Sequence, residues 1–114
     1  MPRGTLGEFE QLVLLAILHL ADAGESGVYG VPIVDEIERR TGRAASRVAV
    51  YVALRRLEQR GLVRTWKGEP IAERGGKARR CVKVTPTGLQ ALRDSREAME
   101  HMWRGLDPRL EKNR

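Results

Sequence analysis

Apolar positions along this chain recur first with a helical and then with a strand-like period. From Glu8 to Leu20, the residues Phe9, Leu12, Val13, Ala16, Ile17 and Leu20 return to one side at about 100° per residue. Leu14, Leu15 and Leu18 lie off that stripe, so the helix is apolar nearly all round. Such a helix is expected to be covered on two sides, by the domain core and by a partner subunit. Residues 1–7, with Pro2, Gly4 and Gly7, are expected to form a loose arm, and Asp22 to Gly27 a turn-rich loop. Tyr29-Gly30-Val31-Pro32 opens a second helix, with proline near its first position, where a missing N–H costs little. Ile33, Val34 and Ile37 form its inward stripe, and Asp35, Glu36 and Glu38 are expected to face outward. Arg39, Arg40 and Gly42 end it.

After a short connection from Thr41 to Ala45, the stretch Ser46 to Val63 reads as one complete helix followed by the start of a strand. Ser46 is a suitable N-cap, and Gly61 a suitable residue for the left-handed turn that stops the helix. Val50, Leu54 and Leu57 stack on one side with Ala53 beside them, and this side must face a core. The opposite side carries Val48, Val52, Arg55 and Gln59, flanked by Tyr51, Ala49 and Arg56. An exposed helix surface normally mixes Lys with Glu. Arginine, glutamine and aliphatic groups are instead the side chains that contact guanine edges, adenine edges and thymine methyls. Two helices joined by so tight a turn form a helix-turn-helix, and the second carries this face.

Leu62 to Trp66 begins a strand whose partner is Arg79 to Thr85, with Cys81, Val82 and Val84 as strand formers. The connection contains Gly68, Pro70, Gly75 and Gly76 among Glu73, Arg74 and Lys77. A hairpin with a glycine-tipped basic loop after a helix-turn-helix is a wing, whose Gly75-Gly76-Lys77 and Arg79-Arg80 are placed to reach phosphates or the minor groove. Trp66 is expected to anchor it. Thr85-Pro86 then starts a last helix, along which Leu89, Leu92, Met99, Met102, Trp103 and Leu106 recur at close to a 3.5-residue spacing. A winged-helix core is full without this helix, so its stripe needs another surface, either a second copy or the chain's own first helix. The expected fold is mainly α with a small β-hairpin. Residues 1–85 would be a winged helix-turn-helix domain, and residues 86–114 a C-terminal dimerisation helix and tail.

Composition narrows the function. With 114 residues and 41% apolar content the chain has room for one modest core. Its single cysteine, Cys81, excludes an internal disulfide and is expected to be a core or half-buried thiol. With only His19 and His101 beside it, no metal-ligand cluster is expected and no cofactor is implied. Both histidines read as structural or solvated, and without a Ser/His/Asp set or paired carboxylates an enzyme is not expected. No signal-like or membrane-length apolar run is present, which points to a cytoplasmic, soluble protein with no membrane partner. The net charge of +6 is distributed unevenly. Residues 1–38 hold one basic residue against seven acids, a balance of −6, while residues 39–80 hold thirteen against three, a balance of +10. That central block is the footprint of a polyanion binder.

Taken together, these residues resemble the PadR-like transcriptional regulators. The resemblance covers about Gly7 to Leu92 and rests on the apolar first helix and Tyr29-Gly30, on Ala49-Val50-Tyr51 through Leu54, and on Arg56-Leu57-Glu58 with Gly61-Leu62-Val63. Glu73-Arg74-Gly75-Gly76-Lys77 and Thr85-Pro86-Thr87-Gly88 complete it. It implies a homodimeric winged-helix repressor of palindromic operators, with a C-terminal helix that crosses to the partner, and admits a small aromatic or drug-like effector. Carried over as DNA-facing are Ser46, Arg47, Tyr51, Arg55, Arg74, Lys77 and Arg79; the exposed face of the helix adds Val48, Val52 and Gln59. Arg47 stands where the family often has proline, and Val48 and Val52 make the reading face unusually aliphatic. The dimer interface would use Leu89, Leu92, Met99, Met102, Trp103 and Leu106. The competing reading is a winged-helix protein-interaction module whose basic face meets an acidic partner.

Overall fold

The computed structural model describes residues 6–24, 29–70 and 78–106. Helix α1 spans Glu8–Asp22, α2 Val31–Thr41 and α3 Arg47–Gln59; strands β1, Val63–Pro70, and β2, Ala78–Val84, follow, and α4 spans Pro86–Trp103. The strands form one antiparallel hairpin with Val63 opposite Val84 and Trp66 opposite Cys81, and its register becomes irregular between Lys67 and Pro70. This is the expected winged-helix arrangement, mainly helical with a single two-stranded sheet.

α1 is the hub of the core, because α2, α3, β2 and α4 all pack against it. Glu10 accepts a hydrogen bond from the Gly7 N–H at 3.0 Å, and Glu8 and Glu10 place negative charge where the helix dipole favours it. Contact from so many sides widens the buried stripe to Val13, Leu14, Ala16, Ile17 and Leu20. Leu14, expected off the stripe, is therefore fully enclosed, whereas Leu15 next to it is 42% exposed. The expected loose arm also needs correction at its inner end, since Leu6 is buried in the core. Residues 1–5 lie outside the described residues.

α2 begins at Gly30, whose φ of 82° is left-handed backbone that glycine adopts without strain. Ile33, Val34 and Ile37 are buried as expected, but so is Glu36. Periodicity placed Glu36 outward; in the folded chain it sits at the edge of the stripe, and Arg39 and Arg40 reach back one turn onto its carboxylate. The last element, α4, is capped by the Thr85 hydroxyl, which accepts from the Gly88 N–H at 3.0 Å. Among the described residues, no helix is long and apolar enough to cross a membrane.

Candidate nucleic-acid interface

The turn between α2 and α3 is held by side chains from α2. Thr41 Oγ1 donates to the Ile37 carbonyl at 2.7 Å and accepts from the Arg43 N–H at 3.1 Å. Glu38 accepts from the Ala45 N–H at 2.9 Å. Ser46 then caps α3, its hydroxyl accepting from the Ala49 N–H at 3.0 Å. At the other end Gly61, at φ 73°, closes α3: the Leu62 N–H reaches the Leu57 carbonyl at 2.9 Å and the Gly61 N–H reaches Glu58 at 3.0 Å. This pair of bonds is the Schellman arrangement, and Leu62 carries the core onward from Leu57. Both ends of α3 are thereby tied to the domain.

Val50, Ala53, Leu54 and Leu57 anchor α3 in the core. The other face is free: Ser46, Arg47, Arg55 and Gln59 are exposed, as are Val48 at 71% and Val52 at 44%. A covered second face would have hidden these valines. Tyr51, 39% exposed, stands at the side of this face, its ring stacked on Tyr29 and its hydroxyl against Gly30. An open groove beside α3 is lined by Phe9 and Glu10 of α1 with Val52 and Arg56.

The charge asymmetry of the sequence has a structural counterpart. Four arginines of the basic block are paired with acids of the first two helices: Arg39 and Arg40 with Glu36, Arg43 with Glu8 at 3.0 Å, and Arg60 with Glu10 at 3.4 Å. The Arg40 guanidinium, followed by that of Arg39, holds the Glu36 carboxyl below its usual pKa. Among the described residues, no carboxylate pairs with Arg47, Arg55 or Arg56. The exposed side of α3 thus keeps three cations without a carboxylate partner among the described residues.

On the wing, Arg74 and Lys77 lie outside the described residues, as does the side chain of Arg79. Trp66 is 37% exposed and has the Arg64 guanidinium 5.0 Å from its ring centroid. Along α4, Leu89 and Leu92 are half-buried against the chain's own core. Met99, Met102, Trp103 and Leu106 remain exposed, Met102 at 74%. The stripe read as one interface therefore divides into a part covered within the chain and a bare outer part. Sequence reasoning passed over Tyr29 and the ion pairs made by Glu8 and Glu10. Tyr29 had a local signal in its place before Gly30, whereas its partners are distant in sequence.

Comparison with known proteins agrees with this architecture. The profile of the Transcriptional regulator PadR-like family matches residues 17–94. The chain is 35% identical over 101 residues to Transcriptional regulator Rv3488 of Mycobacterium tuberculosis, covering 85% of each chain. It is similar in fold to a PadR-like transcriptional regulator from Bacillus cereus, with a TM-score of 0.68 at 18% identity, covering 90% of each chain. A PadR family transcriptional regulator from Eggerthella lenta gives a TM-score of 0.65 at 25% identity over 91% of this chain and 87% of its own. The chain belongs to the PadR-like family of transcriptional regulators.

Proposed function

We propose that this regulator is a homodimeric, sequence-specific repressor that binds a palindromic double-stranded DNA operator. The observation that carries the reading is the exposed face of α3, where Arg47 and Arg55 stand unpaired among the described residues beside bare Val48 and Val52. A helix presenting this face fits the major groove, with Arg55 and Gln59 offered to base edges and the valines to thymine methyls. Ser46, Arg47 and Tyr51 would meet the phosphate backbone, joined by the wing residues Arg74, Lys77 and Arg79. Residues 1–85 would form the DNA-binding unit and residues 86–114 the dimerisation helix and tail, with Met99, Met102, Trp103 and Leu106 meeting a second copy while Leu89 and Leu92 seat the start of the helix on its own core. Two reading helices would then address half-sites about one helical turn apart.

Selection of duplexes from a random-sequence library, followed by footprinting of the DNA upstream of the protein's own gene, tests this directly. The expected product is an inverted repeat, bound by two copies of the chain with an affinity that falls steeply as salt rises. Indifference to duplex DNA at low salt would leave the basic face to an acidic protein partner and end the proposal. Main-role packing is assigned to Met99 and Trp103, with a planar aromatic effector as their secondary ligand. Trp103 fluorescence that stays constant across a panel of planar aromatic compounds would remove the effector.

A further inference from the structure

Tyr29 precedes α2 and lies outside the DNA-facing positions named above, yet it touches both halves of the candidate interface. Its ring stacks on that of Tyr51, with centroids 5.6 Å apart and planes 17° from parallel. The Arg80 guanidinium lies 5.3 Å from the same ring's centroid. Tyr29 thus links α3, through Tyr51, to β2, through Arg80. The Tyr51 end is held by close packing: its hydroxyl is 2.8 Å from where a Cβ on Gly30 would stand.

The Arg80 end is where the hairpin needs an external hold. Val63, Val82 and Val84 seat the base of the hairpin in the core. Arg80 lies opposite Lys67, and the register becomes irregular immediately after that pair. Two like charges directly across a strand pair oppose the pairing, and two strands alone form a marginal unit. An aromatic face under the guanidinium favours one position for it while leaving its charge available. Arg80 remains exposed.

We propose that Tyr29 is a positioning residue for DNA recognition: by holding Tyr51 and Arg80 together it fixes the hairpin relative to α3 and presents Arg80 to a phosphate flanking the groove that α3 occupies. This rests on the DNA-binding reading above. A role in packing alone would make Tyr29 matter for stability and leave the effect of Arg80 unchanged, so the coupling between the two residues is the discriminating quantity.

The full chain is titrated by fluorescence anisotropy, over a range of salt, against the duplex selected by the wild type and against a random-sequence duplex. Arg80→Gln is expected to weaken both duplexes and lower the salt slope by about one. Tyr29→Phe keeps the aromatic face and should bind as the wild type does. Tyr29→Leu should weaken the selected duplex more than the random one, by about two- to fivefold, the range of a cation–π contact at an exposed site. In the Tyr29→Leu background, Arg80→Gln should cost at least about twofold less than in the wild type. Additive effects, or Tyr29→Phe behaving like Tyr29→Leu, would overturn the proposal. Should Tyr29→Leu fail to fold, Arg80→Lys decides: retained salt slope with weakened selected-duplex binding supports a stacked guanidinium, and wild-type binding refutes it. A wild type that binds neither duplex removes the DNA-binding reading as well; additivity in a wild type that binds removes only the stack.

Discussion

Gly88, in the first turn of α4, lies so close to the Leu62 carbonyl that a Cβ on it would overlap that oxygen, with Val84 Cγ1 a further 2.8 Å neighbour. The same carbonyl accepts from the Thr85 N–H at 3.0 Å, and Thr85 Oγ1 donates to Gly61 at 2.7 Å. The end of α3, the base of the hairpin and the start of α4 therefore meet in one junction, which sets where α4 points relative to the exposed face of α3. The backbone at Leu62 and the buried Val84 leave little room to relax. Gly88→Ala is expected to cost about 1–3 kcal/mol through overpacking, read as a lower urea midpoint at unchanged m-value.

Ser46→Ala removes the acceptor of the Ala49 N–H at the start of α3. A loss of about 0.5–2 kcal/mol is expected, and Ser46→Asp should restore most of it. Chemical denaturation of the three proteins checks the order.

Glu36 supplies a pH dependence with a definite sign. Arg40 and Arg39 hold its folded-state pKa below the ordinary value of 4.5. The stabilisation from its ionised form is thus fully present above about pH 4.5 and is lost as pH falls through the lower, folded-state value. Both arginines are substantially exposed, so the contribution is small. Urea unfolding of the wild type and Glu36→Gln should show a gap that is constant near neutral pH and narrows on acidification below 4.5. A gap that widens on acidification would contradict the assignment.

Arg55 and Lys77 should separate base reading from backbone contact. Arg55→Ala is expected to cost about 1–3 kcal/mol on the selected duplex, with the loss concentrated at one base pair. Lys77→Ala should weaken all duplexes alike and reduce the salt slope by about one. Equal losses on selected and random DNA for Arg55→Ala would take Arg55 out of the reading role.

Met102, 74% exposed near the end of α4, should be a point where assembly can be broken without harming the fold. Met102→Asp is expected to shift the protein from dimer to monomer in sedimentation velocity while its thermal unfolding remains cooperative. Leu89→Asp should instead destabilise the single chain, because Leu89 packs on its own core.

Much of the fold was legible before any coordinates. Helices α2 and α3 announced themselves through a three-to-four-residue apolar repeat bounded by glycine, proline and serine, signals that act within a few residues. The hairpin showed in the same way, though β1 runs on to Pro70 and β2 starts at Ala78, inside the stretch from Lys67 to Ala78 that reads as their connection. Some positions misled because their surroundings come from elsewhere. Leu14 and Leu15 both lie off the main stripe of α1 and are expected to be covered. Only the packing of the other elements around α1 decides that Leu14 is enclosed while Leu15 stays exposed. Glu36 misled for a local reason instead: it sits at the edge of the apolar stripe of α2, and Arg39 and Arg40 of the same helix reach back onto its carboxylate.

The same division holds for the candidate interface. Local periodicity alone determined that Val48, Val52, Arg55 and Gln59 share one side of α3, and simple counting revealed a basic middle third. Which cations remain free was decided only by tertiary structure, because the Glu8–Arg43 and Glu10–Arg60 pairs join residues far apart in the chain. Tyr29, Tyr51 and Arg80 meet for the same reason. Periodicity reports which side of an element a residue occupies; what stands opposite that side depends on how the elements pack, and packing is a property of the whole fold.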